Sequence, residues 1–288
     1  MRAIDGVFRE QPTDAHVRCR HHLLAGGAPL SPPPVEPITA CSGEFPGTGA
    51  ATVLEELDRR GLAVVRLDEP LPDDRFVAFG SMLGTPLPET DPGVQPFVRD
   101  SIVFNLMSRY NETEDTNLQP FATNYLTLHS EGSGRPVNEQ PRFIVLMCCE
   151  PGAAASAHTV LVSMADVAED LGAWTRQVLV NARYRRSRQG PPICRGRDGR
   201  VVFSFRDFAG SALEWTYTGE RSAHEVNDAI RSLLSAMYQP NLAVGVRWER
   251  GMLVIIDNTY FFHGRTAGTA ATATAARHLK RMRILGQD

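Results

Sequence analysis

Short apolar runs broken by glycine and proline turns set the strongest limit on what this chain can fold into. Arg142-Phe-Ile-Val-Leu-Met-Cys-Cys149, Thr159-Val-Leu-Val-Ser163, Val201–Phe205, Val244–Trp248, Met252–Ile256 and Arg277–Leu285 all have strand length and β-branched or aromatic content. Leu62–Leu67, Ser101–Met107 and Leu126–His129 add weaker strands. Helical patterns are fewer. Residues 50–60 read as an amphipathic helix ended by Gly61, and Asp73–Leu83 as one stopped by Gly84. Ser163 looks like the N-cap of a helix through Leu171, and 174–185 reads as a helix and then a strand. His224–Tyr238 carries the apolar stripe Val226, Ile230, Leu233, Leu234 and Met237. Strand and helix do not alternate strictly, so a doubly wound parallel sheet is set aside. The expected fold is mainly β with helices (α+β), with a double-stranded β-helix (jelly roll) core and a helical layer on one side. Val244–Trp248 and Met252–Ile256 are expected to form a hairpin around Glu249-Arg-Gly251.

Residues 1–48 stand apart. They carry the Pro32–Pro34 run, Gly26-Gly27 and His21-His22. We read them as a Pro/Gly-rich arm, loop-like with one strand or short helix. Residues 49–288 read as a single domain. The formal net charge of −3 excludes a strongly basic nucleic-acid binder and offers no attraction to an anionic membrane. No apolar run reaches the ~18 residues of a membrane span, and the first residues lack the apolar core of a signal peptide. A cytoplasmic location is therefore expected. The expected partner is a small molecule, with neither nucleic acid nor membrane, and self-association is left open. The five scattered cysteines do not form a disulfide framework.

Three features bear on chemistry. His129-Ser-Glu131 places two metal-binding side chains on one face if the backbone there is extended. Alone the pair also fits a polar surface turn. The strand Met252–Ile256 runs through Asp257-Asn258 to His263. Two histidines and one carboxylate make the ligand set of non-haem iron(II) oxygenases. In the last strand, Arg277, Leu279, Arg281 and Arg283 share one face. An unpaired buried guanidinium is costly, so either that face is exposed or a carboxylate is delivered to it. Other residues have plainer readings: His158 as a packing or hydrogen-bonding residue, His21-His22 as solvated, Asp257-Asn258 as a turn. Trp174, Trp215 and Trp248 are expected in the core or at an interface.

Together, His129-Ser-Glu131, Thr159, Asp257-Asn258, His263-Gly-Arg265 and Arg277 resemble the TauD/TfdA-like family of iron(II)- and 2-oxoglutarate-dependent dioxygenases, over roughly residues 50–285. The His-x-Glu pair is similar to that of the clavaminate synthase branch and its amino-acid hydroxylase relatives. Where the family usually shows a Gly-Gly stretch before the threonine, this chain has Pro151-Gly-Ala-Ala-Ala-Ser-Ala-His158. The resemblance implies iron(II) held by His129, Glu131 and His263. It implies 2-oxoglutarate bound through Arg277 and Thr159, with Arg281 as a second basic position, and O2 as the other cosubstrate. The implied reaction hydroxylates, desaturates or cyclises an amino-acid-like metabolite, with release of succinate and carbon dioxide. Asn124, Ser133, Arg135 and Arg206 are candidates for substrate contact. A halogenase of the same fold, an oxoglutarate-independent metal enzyme and a non-catalytic jelly-roll binding protein are the rival readings. Glu131 argues against the first, Arg277 against the second, and the full ligand set against the third.

Overall fold

A computed structural model describes residues 3–107, 121–152, 157–187, 189–268 and 276–287. In chain order the elements are β1 (Ala3–Phe8), α1 (Ala15–Leu24), β2 (Ile38–Ala40), α2 (Ala50–Arg60), β3 (Leu62–Leu67), α3 (Asp73–Leu83), β4 (Gly84–Pro86), β5 (Val98–Arg99), β6 (Val103–Met107) and β7 (Leu126–His129). They continue with β8 (Phe143–Glu150), β9 (Thr159–Ser163), α4 (Met164–Asp170), α5 (Ala173–Leu179), β10 (Ala182–Tyr184), β11 (Cys194–Arg197), β12 (Arg200–Phe203) and β13 (Leu213–Thr218). The last are α6 (Ala223–Met237), β14 (Ala243–Val246), β15 (Met252–Asp257), β16 (Phe261–Arg265) and β17 (His278–Gly286).

Two sheets face each other. The larger runs β2-β3-β15-β8-β17-β6-β5, with β4 also on β17; the smaller runs β14-β9-β16-β7. The two-residue alternation of strands explains the layers. Ile144, Leu146 and Cys148 of β8, Val254 and Ile256 of β15, and Leu161 of β9 point between the sheets and form one buried cluster. The alternate residues Val145, Met147, Leu253 and Ile255 pack outward against Val53 and Leu57 of α2 and Phe76 and Phe79 of α3. On the far side, Val160, Val162 and Phe262 pack against the apolar stripe of α6 and against α1, α4 and α5. This is a jelly-roll core. Helices cover both outer faces, because both sheets are apolar on both sides, where the sequence reading put them on one side.

Two further expectations change. β14 and β15 do not pair as a hairpin: β14 pairs with β9, while β15 pairs with β3 and β8. The intervening turn crosses between sheets. Gly251 donates to the Cys148 carbonyl and accepts from Leu67 N, so the chain has already joined the large sheet before β15 begins. Residues before 48 also hold more structure than one short element. β1 pairs along its length with β13, and Phe8, Leu23 and Leu24 join the core. Trp215 and Trp248 are buried, but Trp174 is exposed on α5. Residues 85–120, rich in Pro, Asp, Asn and Thr, read as mostly loop, and 108–120 of them lie outside the described residues. No described helix is long and apolar enough to cross a membrane.

Candidate active site

The smaller sheet brings the two histidines together. β16 and β7 are antiparallel, and His263 stands directly opposite His129. Their rings lie 4.3 Å apart between centroids. A β-bulge does part of the aiming: Arg265 pairs with Leu126, so two steps along β16 match three along β7. The extra residue turns both Leu126 and His129 into the space between the sheets, as bulges near functional sites often do. Gly264 permits this close pairing, because a Cβ there would lie 2.7 Å from the Leu126 carbonyl oxygen.

Glu131 follows the end of β7. Its Oε2 lies 3.7 Å from His129 Nε2 and 3.9 Å from His263 Nε2. One donor atom from each of the three residues falls within 4.8 Å of the others. His129 Nδ1 donates to the Thr127 carbonyl at 2.8 Å, which selects the tautomer whose Nε2 carries a free lone pair. Asn258 grips the Glu131 backbone from both sides: its Oδ1 accepts from Glu131 N at 2.8 Å, and its Nδ2 donates to Glu131 O at 3.0 Å and Pro141 O at 2.9 Å. Asp257 makes the expected turn by accepting from Thr259 N and Oγ1, and it also pairs with Arg142 at 3.2 Å.

The electrostatics keep this cluster ready for a cation. Burial alone would raise the Glu131 carboxyl, but Arg281, His129 and Arg283 outweigh it and hold the group well below the usual carboxylate range. Burial, with His129 adding to it, pushes His263 down to about 3. A carboxylate and a neutral imidazole are the forms a divalent metal takes.

Two chambers meet at the triad. The inner one is lined by Leu106, Ile144, Leu146, Thr159, Arg265, Arg277 and Leu279. Arg277 is buried there, and its Nη1 has no hydrogen-bond partner among the described residues. Burial pushes its guanidinium down to about 10, and burial with the nearby Arg277 charge pushes Arg265 down to about 9. Arg265 donates to the Asn124 carbonyl at 2.8 Å. Thr159 Oγ1 accepts from Trp248 Nε1 at 3.2 Å. The outer chamber, about 640 Å³, is lined by Glu89, Asp91, Arg135, Arg206, Arg281 and Arg283 among others. Arg281 borders both chambers: it donates to Glu89 at 3.0 Å and lies 3.8 Å from Glu131. Of the substrate-contact candidates, Arg135 and Arg206 border the outer chamber. Ser133 lines a neighbouring cavity and Asn124 offers its carbonyl to Arg265. His158 donates its backbone N–H to Thr266, and His21 and His22 are exposed.

Arg265 and Asn258 belong to the resemblance drawn from the sequence but have no role there as site residues, and Glu89 is not named in it. Arg265 is two positions after His263 on one strand, so strand periodicity would have placed it inward. Glu89 and the clamp made by Asn258 carried no local signal.

The facing sheets of a jelly roll thus enclose two histidines, a carboxylate and a buried arginine, the donor types found in non-haem iron oxygenases together with a cation beside them. The sequence matches the family model described as taurine catabolism dioxygenase TauD, TfdA family over residues 42–283, and the chain belongs to that family. Solved structures share the fold. One is an asparagine oxygenase in complex with Fe(II), 2S,3S-3-hydroxyasparagine and succinate, at TM-score 0.64 and 20% identity, covering 85% of this chain and 81% of that one. PvcB of Pseudomonas aeruginosa, described as an Fe, alpha-ketoglutarate dependent oxygenase from an isonitrile synthetic pathway, aligns at TM-score 0.61 and 21% identity, covering 89% and 90%. The non-heme iron oxygenase OrfP, in complex with Fe, succinate and (3S)-hydroxy-L-Arg, aligns at TM-score 0.62 and 16% identity, covering 85% and 83%. No curated protein matches the chain by sequence.

Proposed function

We propose that this protein is an iron(II)- and 2-oxoglutarate-dependent oxygenase acting on a free amino acid or an amino-acid-derived metabolite. His129, Glu131 and His263 hold the metal. Arg277, with Thr159 beside it, takes the far carboxylate of oxoglutarate in the inner chamber, and Arg281 stands at the junction with the outer one. The family match and the iron-, succinate- and hydroxy-amino-acid-bound relatives support this reading.

The donor set suits iron(II): two imidazoles and one carboxylate would hold it and leave positions for small ligands. When bound, iron(II) with oxoglutarate and O2 supplies the oxidant, as oxoglutarate loses carbon dioxide to become succinate and one oxygen atom enters the substrate. The chain's own work is orientation and exclusion. The Thr127 carbonyl fixes the His129 tautomer and Asn258 fixes the Glu131 backbone. Leu106, Ile144, Leu146 and Leu279 keep the inner chamber apolar around its arginines.

The observation that carries the reading is Arg277. A guanidinium buried between two sheets with an unpartnered nitrogen is costly unless an anion meets it. Oxoglutarate brings a carboxylate of matching shape, and each charge-assisted bond contributes about 1.5–3 kcal/mol. Arg277→Ala is expected to weaken oxoglutarate binding by roughly 10²–10³-fold, at about 1.4 kcal/mol per tenfold. Iron binding should be retained and lysine should rescue only in part. The measurement is anaerobic titration of oxoglutarate into iron-loaded protein, followed by the metal-to-ligand charge-transfer band. Titration of the variant like wild type, or no band in wild type, would remove the oxoglutarate assignment.

A further inference from the structure

The two carboxylate oxygens of Glu131 face different neighbours. Oε2 lies 3.7 Å from His129 Nε2 and 3.9 Å from His263 Nε2. Oε1 lies 3.5 Å from Arg283 Nη1 and 3.8 Å from Arg281 Nη1. Behind both arginines stands Glu89. Its Oε2 accepts from Arg281 Nη2 at 3.0 Å, and its Oε1 lies 3.2 Å from Arg283 Nη2. Each guanidinium thus spans the gap between the two carboxylates, with one Nη toward each. All four side chains are at most 16% exposed. Backbone bonds set the spacing. Leu87 N–H donates to the Arg283 carbonyl and Glu89 N–H to the Ser101 carbonyl, both at 2.7 Å. Ile284, next to Arg283, pairs with Pro86. The segment carrying Glu89 is therefore fixed to the strand carrying the arginines.

The reaction proposed above gives no part to Glu89 or Arg283. Carboxylates bind metals through one oxygen or through both. A cation reaching for Glu131 Oε1 would meet two guanidiniums already directed at that atom, and like charges repel strongly where water is largely excluded. We propose that Arg283, held in place by Glu89, is a positioning residue that keeps Glu131 a one-oxygen metal ligand, through Oε2. The inference rests on the oxygenase reading and deepens it. Two histidines and one carboxylate oxygen leave an octahedral iron(II) three positions, enough for oxoglutarate at two and O2 at one. With both Glu131 oxygens engaged, one of those positions would be filled by the protein.

The test compares wild type with Arg283→Met, Arg283→Lys and Glu89→Gln. Iron(II) and then oxoglutarate are titrated anaerobically. Failure of wild type to bind iron(II) or to form the charge-transfer band overturns the oxygenase reading itself, before any variant is compared. Manganese(II) is loaded in parallel without oxoglutarate, and water-proton relaxation reads how many waters the metal keeps. In Arg283→Met we expect iron(II) to bind at least as tightly as in wild type and manganese(II) to hold one water fewer. Oxoglutarate should bind about tenfold more weakly or worse, the usual size of effect for groups behind a metal ligand. Loss of charge alone would weaken oxoglutarate without changing the water count. Lysine should restore oxoglutarate binding only in part, because its ammonium cannot face both carboxylates as the planar fork does. Glu89→Gln releases one of the two guanidiniums, so the average water number and the oxoglutarate affinity should fall in the same direction by less. That variant decides the matter if Arg283→Met does not fold. An unchanged water count in the folded variants, or weaker iron(II) binding in Arg283→Met, overturns the inference.

Discussion

At the scale of single residues, Asn258 shows how one side chain can set the geometry of another. Its amide makes three hydrogen bonds, two of them to the backbone of Glu131, and it is 4% exposed. Asn258→Ala would take this partner from three backbone groups, Glu131 N–H, Glu131 C=O and Pro141 C=O, at a cost of about 1–3 kcal/mol for each one kept from water. Groups that orient metal ligands typically change metal affinity by about 10–100-fold. We therefore expect the variant to bind iron(II) or cobalt(II) at least tenfold more weakly, while Arg277 keeps oxoglutarate binding once metal is saturating. Metal titration under anaerobic conditions reads this. An unchanged metal affinity would show that the Glu131 loop holds itself.

At the scale of elements, α1 reaches the proposed metal site through a buried ionic network. Arg20 pairs with Glu10 at 2.6 Å and with Asp207 at 2.9 Å, and Tyr238 donates to the same Asp207 carboxylate at 2.7 Å. Asp207 is stitched to β7 on its backbone side. Its carbonyl accepts from Thr127 Oγ1, and its N–H donates to the Leu128 carbonyl, one residue before His129. His16 is fully buried against Glu10 at 3.3 Å. Burial lowers the His16 pKa even though Glu10 and Asp207 pull it up. The folded protein thus refuses a proton that the unfolded chain accepts near 6.5. A group of this sign stabilises the fold above that value, and the contribution is lost as pH falls below it. His16→Gln can keep a donor to Glu10 without titrating. The variant is expected to lose less stability than wild type between pH 7 and pH 5, measured by urea unfolding at each pH. Parallel losses in the two proteins would mean that His16 is protonated equally in both states.

At the scale of the whole molecule, the site lies where the two sheets face each other. The proposed metal ligands sit on or just after strands of the small sheet, and Arg277 leads into β17 of the large one. Iron and oxoglutarate would therefore tie one sheet to the other. A ligand that binds only the folded state stabilises it by about 2.7 kcal/mol at 100 times its Kd. For a 288-residue chain, at about 2.1 cal/mol/K of unfolding entropy per residue, that corresponds to a rise in Tm of roughly 4–5 °C. Iron(II) with oxoglutarate should produce such a rise anaerobically, and a chelator should reverse it. In Arg277→Ala the increment from oxoglutarate should vanish while that from iron remains. A Tm indifferent to both ligands would place the binding energy outside the folded jelly roll.

Periodicity and spacing carried much of this into view without coordinates. Short continuous apolar runs bounded by turns marked β8, β9 and β15 as strands, and the 3.6-residue stripe marked α6, because an element's own residues set its period and which side chains share a face. The same rule put Arg277, Arg281 and Arg283 on one face of the last strand, and they line the chambers at the triad. Pairing across the chain follows no such rule. That β14 joins β9 rather than β15, that a bulge aims His129, and that Glu89 and Asp207 come to lie beside residues far away in sequence depend on contacts between distant segments. β1 and α1 stayed hidden for the same reason. α1 is only weakly amphipathic and β1 is short, and what holds them is β13, the core and one buried arginine. Local sequence determines which way a side chain faces along its own element. Only the packing of one element on another decides what it faces, since that choice is made by burial and hydrogen-bond satisfaction over the whole fold.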